Sequence, residues 1–131
     1  MNNQRGFTLV ELLATITILA LIITLLSSIL IDGKKAYNRN TTNQLLQQEA
    51  NYITEIVRRE YLRKYDEGKM SNPIKLSVQD NILKMDGKVI SEGFNYIVLN
   101  VSRKSNPVHF YLELEKDGLT YTVETTFSKL N

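Results

Sequence analysis

The chain has no cysteine and a single histidine, His109, among 131 residues. The first absence excludes disulfides, iron–sulfur clusters and thiol nucleophiles, and it removes the usual staple of small exported domains without identifying a compartment. The second argues against a zinc site of the ordinary His/Cys kind. A dominant charge sign is lacking too: 16 basic and 14 acidic residues leave +2, too balanced for bulk attraction to nucleic acid or acidic lipid, so any such partner needs a local patch. There is no internal repeat and no low-complexity segment. No Ser/His/Asp spacing surrounds His109, and Gly87 and Gly93 belong to turns rather than to a phosphate-cradling loop ahead of a helix. The chain is therefore read as a non-enzyme without a cofactor.

What is present is distributed unevenly. From Leu12 to Ile31 twenty consecutive residues carry no charge, and the hundred that follow hold 28 of the 30 charged side chains. Twenty residues at about 1.5 Å each reach the hydrocarbon thickness of a bilayer, about 30 Å. Within that run Thr15, Thr17, Thr24, Ser27 and Ser28 can bond back to the carbonyl one turn earlier, which makes them cheap in lipid. A buried soluble helix usually has a shorter apolar run, and this one is apolar on every face. A secretory signal peptide is also shorter and ends in a small-x-small cleavage site, which Ile29-Leu30-Ile31-Asp32-Gly33 does not offer. The span is expected to be retained as a single-pass anchor, leaving enough chain for one small domain.

Glu11 stands at the edge of the apolar run, five residues after Gly6. An ionised side chain inside a membrane segment costs about 2.5–3.5 kcal/mol on insertion scales, so it calls for a partner. The stretch Arg5-Gly6-Phe7-Thr8-Leu9-Val10-Glu11, running straight into a charge-free helix, resembles the processing and assembly signal of type IV pilins and pseudopilins. In that resemblance a membrane-embedded prepilin peptidase cuts after Gly6 and N-methylates Phe7. Residues 1–6 are then a cleaved leader and 7–31 a transmembrane and assembly helix. The resemblance also implies that the Glu11 carboxylate pairs with the terminal amine of an adjacent subunit, so that two groups costly in lipid neutralise one another.

The implied protein is a structural subunit of a type IV pilus-like filament, a minor pilin or pseudopilin. Its implied partners are other pilin subunits, the peptidase, a polytopic platform protein and an assembly ATPase. The short leader and the missing cysteines favour a competence-type system serving DNA uptake. The sibling reading is a type II secretion pseudopilin, and the reading from another class is a membrane-tethered binding module that never polymerises. Lys34, Lys35 and Arg39 follow the span while only Arg5 precedes it, a bias that would keep the C-terminal part in the cytoplasm. The resemblance implies the opposite, an exported head on a protein of the cytoplasmic membrane that reaches the cell surface on assembly, and that topology is the one expected.

Residues 32–131 are expected to form the head. Asp32-Gly33 should bend or loosen the helix, since glycine costs about 1 kcal/mol relative to alanine inside one. Beyond it, Leu46, Ala50, Ile53, Val57 and Tyr61 recur at helical spacing, so an amphipathic helix is predicted over about 34–66. Glu55 with Arg59, and Glu60 with Lys64, sit four apart on its outer side. From Ile74 the period changes to two, and strands are predicted over 74–78, 82–85, 88–90, 94–102, 108–115 and 119–127. Asp86-Gly87 and Lys116-Asp117-Gly118 make the hairpin turns. The fold class is therefore α+β, a long N-terminal helix packed on a small antiparallel sheet over about 74–128, and the resemblance adds a lollipop arrangement.

One patch could take a polyanion: Arg58, Arg59, Arg63, Lys64 and Lys69, with Tyr61 and Tyr65 interleaved as stacking platforms for single-stranded DNA. Glu55, Glu60, Asp66 and Glu67 are mixed into it, which reads more simply as a solvated helix face.

Overall fold

The computed structural model describes residues 8–66, 74–99 and 107–128. They form helix α1 (Leu9–Asp66) and strands β1 (Leu76–Gln79), β2 (Ile82–Met85), β3 (Lys88–Glu92), β4 (Asn95–Leu99), β5 (Val108–Lys116) and β6 (Leu119–Phe127). The chain divides into two compact units, Met1–Asn38 and Arg39–Asn131.

In the first unit every described residue from Thr8 onward is exposed within the chain, including the large apolar side chains from Leu9 to Ile31. That helix is long and apolar enough to cross a membrane. The hydroxyls of its polar residues are taken by its own backbone. Thr15 donates to the Leu12 carbonyl and Thr17 to that of Leu13, each at 2.8 Å. Thr24, Ser27 and Ser28 donate likewise to Ala20, Ile23 and Leu25. None of the five therefore brings an unsatisfied donor into an apolar surrounding. The loosening expected at Asp32-Gly33 does not occur, because α1 is helical through both residues. One glycine costs about 1 kcal/mol, whereas ending a helix there leaves a turn of backbone groups without intrahelical partners.

In the second unit the predicted stripe is the helical side of the core. Leu46, Ala50, Ile53 and Val57 are fully buried and Tyr61 nearly so. They join Leu83, Phe94, Tyr96, Val108, Phe110, Leu112, Leu114 and Phe127 in one cluster. Residues 108, 110, 112 and 114 alternate with outward side chains along β5, the period of a strand with one covered face. Phe110 stacks on Phe127 at 5.5 Å between ring centroids.

The α+β class read from the sequence holds, and the strands fall into two three-stranded antiparallel sheets where one was expected, β1-β2-β3 and β4-β5-β6. The β1–β2, β2–β3 and β5–β6 hairpins each have a two-residue turn with both residues at positive φ: Asp80-Asn81, Asp86-Gly87 and Asp117-Gly118. That is the backbone of the mirror-image turns whose twist suits a hairpin. Asp80-Asn81 lacks the glycine that marks the other two turns, and Asp and Asn are the side-chain types that tolerate this conformation. A register shift in β2–β3 places Ser91 opposite Leu83 and Val89 opposite Lys84, which leaves Ile90 as a bulge. The predicted strand 94–102 is observed from Asn95 to Leu99, and its remainder lies outside the described residues.

A polar network joins the helix to both sheets. The Ser91 hydroxyl on β3 donates to the Glu49 carboxylate on α1. The Tyr96 hydroxyl on β4 lies 2.6 Å from the same serine oxygen. With the serine proton committed to Glu49, Tyr96 is the donor. Burial pushes the Tyr96 phenol above its ordinary pKa.

Candidate functional site: the start of the helix

The N-terminal end of α1 is built by four residues, Thr8-Leu9-Val10-Glu11. The Thr8 hydroxyl accepts from the Glu11 amide at 3.3 Å, and the Thr8 amide donates to the Glu11 carboxylate at 3.1 Å. The Thr8 hydroxyl proton points to the same carboxylate oxygen at 3.2 Å. The Leu12 amide closes the first helical turn on the Thr8 carbonyl at 3.1 Å. This reciprocal arrangement is a capping box, which satisfies two backbone donors that a helix start otherwise leaves unpaired. The carboxylate also sits at the positive end of the helix dipole.

Glu11 is thus hydrogen-bonded within its own chain, a role the sequence reading missed. The signal was legible, as Thr-x-x-Glu directly ahead of an apolar run is the sequence form of this cap. What Thr8 supplies is hydrogen bonds and no positive charge, so the carboxylate still lacks a counter-ion in its own first turn. Gly6 and Phe7, the expected processing site, lie outside the described residues.

The structure distributes the basic patch among internal ion pairs. Arg58 and Arg59 both reach Glu55, at 3.4 and 2.9 Å. Arg63 meets Glu60 at 2.6 Å. Lys64 lies 3.6 Å from Glu60 and 2.6 Å from Asp86 in the β2–β3 turn. The Arg63 hydrogen bond holds the Glu60 carboxyl below the ordinary carboxylate range despite its partial burial. Burial works to raise the Asp86 carboxyl, but the Lys64 ammonium and the Lys75 amide outweigh it and hold it low. Tyr61, expected as a stacking platform, instead belongs to the core with 5% exposure, its ring 6.0 Å from that of Phe127. Lys69 lies outside the described residues. His109 is exposed on β5, with Nδ1 3.3 Å from the Thr126 hydroxyl. Among the described residues no three His, Asp or Glu side chains converge as metal ligands.

Residues 1–27 match the family described as the prokaryotic N-terminal methylation motif. No curated protein and no solved structure matches the chain. A prepilin-type segment opening a long apolar helix, with an antiparallel α+β unit in the same chain, supports a type IV pilin-like structural protein. The motif carries with it membrane anchoring, processing by prepilin peptidase and association with other pilins.

Proposed function

We propose that the chain is a minor pilin or pseudopilin, cut after Gly6, methylated on Phe7 and packed into a filament through its apolar helix. The observation that carries this reading is the position of Glu11, a carboxylate in the first turn of a helix whose next twenty residues have no charge. In the filament its counter-ion is the terminal amine of the neighbouring subunit, and the pairing sets the axial register. Ala14, Ala20 and Ser27 let apolar helices approach closely. An assembly ATPase and a platform protein supply the work. The cysteine-free chain favours a competence-type machine, with a type II secretion system as the sibling setting. DNA is proposed as the cargo of that machine and not as a ligand of this unit, since Arg58, Arg59 and Arg63 each pair with a glutamate on the same helix. Mass analysis of the membrane-extracted protein should find residues 1–6 missing and one methyl group on Phe7. An intact Met1 terminus in cells possessing the peptidase would refute the proposal.

The capping box favours a second reading, a tethered module that never polymerises, because it gives Glu11 a purely local use. Glu11→Gln separates the two. Glutamine can serve in the same box but carries no charge to neutralise an amine. Unchanged membrane insertion with loss of filament incorporation is expected for a subunit. Incorporation equal to wild type would favour the tether.

A further inference from the structure

Strand β6 is an open sheet edge. Its nine residues pair in unbroken register with β5, and among the described residues no strand occupies its other side. The opposite edge of the same sheet is β4, which lies against β1 of the other sheet. An unpaired edge exposes a row of backbone donors and acceptors, and proteins commonly blunt such edges with lysine, proline, a bulge or short length. β6 has no lysine, no proline and no bulge, and with β5 it is the longest strand described.

The side chains of β6 are also incompletely covered. On β5 the inward Val108, Phe110, Leu112 and Leu114 are buried, whereas the inward Leu119, Tyr121 and Val123 of β6 are only half-buried. The core layer therefore thins under β6 from Leu119 to Val123 and is complete only at Phe127, beside an edge able to accept another strand.

We propose that β6 pairs antiparallel with β6 of a second copy, about a two-fold axis at Val123, joining two three-stranded sheets into one of six strands. The sequence of the strand is self-complementary in that register. Inward residues meet inward residues, so the half-covered apolar side chains of one copy extend the layer of the other, as strand periodicity requires. Outward, Thr120 meets Thr126, and Thr122 meets Glu124, the only charge in the strand, so no like charges oppose one another. Moving the axis by one residue to Glu124 would set two carboxylates face to face. A two-fold contact closes on itself, so this is a dimer contact distinct from any helical polymer contact, and it stands whether or not the subunit reading does.

The absence of cysteine makes the test direct. In the full-length chain in membranes, Val123→Cys puts two thiols on directly opposed residues, whose Cα atoms in an antiparallel pair lie about 4.5–5.5 Å apart, within disulfide reach. Mild oxidation should give a covalent dimer on non-reducing gels, while Glu113→Cys, outward on the middle strand β5, should give none above collisional background. Adding Thr120→Lys with Thr126→Lys opposes two pairs of like charges across the axis and should lower the cross-linked fraction several-fold. Combining Thr120→Lys with Thr126→Glu should restore it. Within one copy Thr120 faces Glu115 and Thr126 faces His109, so these outward changes leave the fold in place. The same charge series without the cysteine, read as the mass of the detergent-solubilised chain, guards against damage by Val123→Cys itself. Cross-linking of Val123→Cys no greater than that of Glu113→Cys, or a dimer indifferent to the lysine pair, would overturn the proposal, and a foreign extended segment would then be the better occupant of the edge.

Discussion

Two residues show how a single polar group is settled by its surroundings. Glu11 keeps its carboxylate at a helix start because Thr8 and the free amides of the first turn make hydrogen bonds to it or beside it. Tyr61 is the opposite case. Its hydroxyl is buried without a hydrogen-bond partner among the described residues, and burial pushes its pKa above the ordinary phenol value. A buried donor left unsatisfied costs about 1–3 kcal/mol. Tyr61→Phe retains the ring contacts with Phe127 and Tyr65 and removes that cost. It should raise unfolding stability by about 1 kcal/mol, measured by denaturant titration, and a loss of stability would reveal a partner for the hydroxyl.

At the scale of elements the hairpins depend on turns whose backbone most side chains resist. Gly118 has φ +72° and no atom within 4 Å of where a Cβ would be. Its replacement therefore meets no steric obstacle, and the penalty comes from the backbone alone. Gly118→Ala should lower stability by about 1 kcal/mol, read as a shift of the thermal midpoint. A neutral result would mean that the β5–β6 turn relaxes to another type. The turn has a second attachment, as the Asp117 carboxylate accepts from Thr42 on α1 at 3.4 Å. Asp-Gly pairs announce such turns in any sequence, while Asp80-Asn81 needed the structure to show that Asp and Asn carry the same conformation without a glycine.

For the whole molecule, pH acts through carboxylates held low in the folded state. Glu60 and Asp86 both have depressed pKa values. Their unfolded values are higher, so the stabilisation is present above the ordinary carboxylate range and is lost as pH falls through the folded values. The thermal midpoint should decline as pH is lowered from about 5 toward 3, where carboxylates titrate. Asp86→Asn should flatten part of that decline by removing one titrating group. An equal slope in the variant would show that the Lys64–Asp86 pair contributes nothing measurable, which is a common outcome for exposed ion pairs.

Most of the element structure was legible because it is local. The charge-free run, the stripe from Leu46 to Tyr61 and the alternation of β6 each reflect a repeat of a few residues, and backbone geometry converts such a repeat directly into helix or strand. The prepilin-like segment was legible for the same reason, as its residues are consecutive. Continuity of α1 through Gly33 was not, since a propensity of about 1 kcal/mol does not decide a helix that its neighbours continue on both sides. Nor was the partition into two sheets, or the meeting of Ser91, Glu49 and Tyr96 from three different elements. Those depend on which distant segments choose one another, and a strand offers the same backbone donors and acceptors to every candidate neighbour. Sequence alone determined most of the elements and the prepilin-like segment, which are written in neighbouring residues, and the tertiary structure decided how the strands divide into sheets and, among the described residues, which sheet edges are paired.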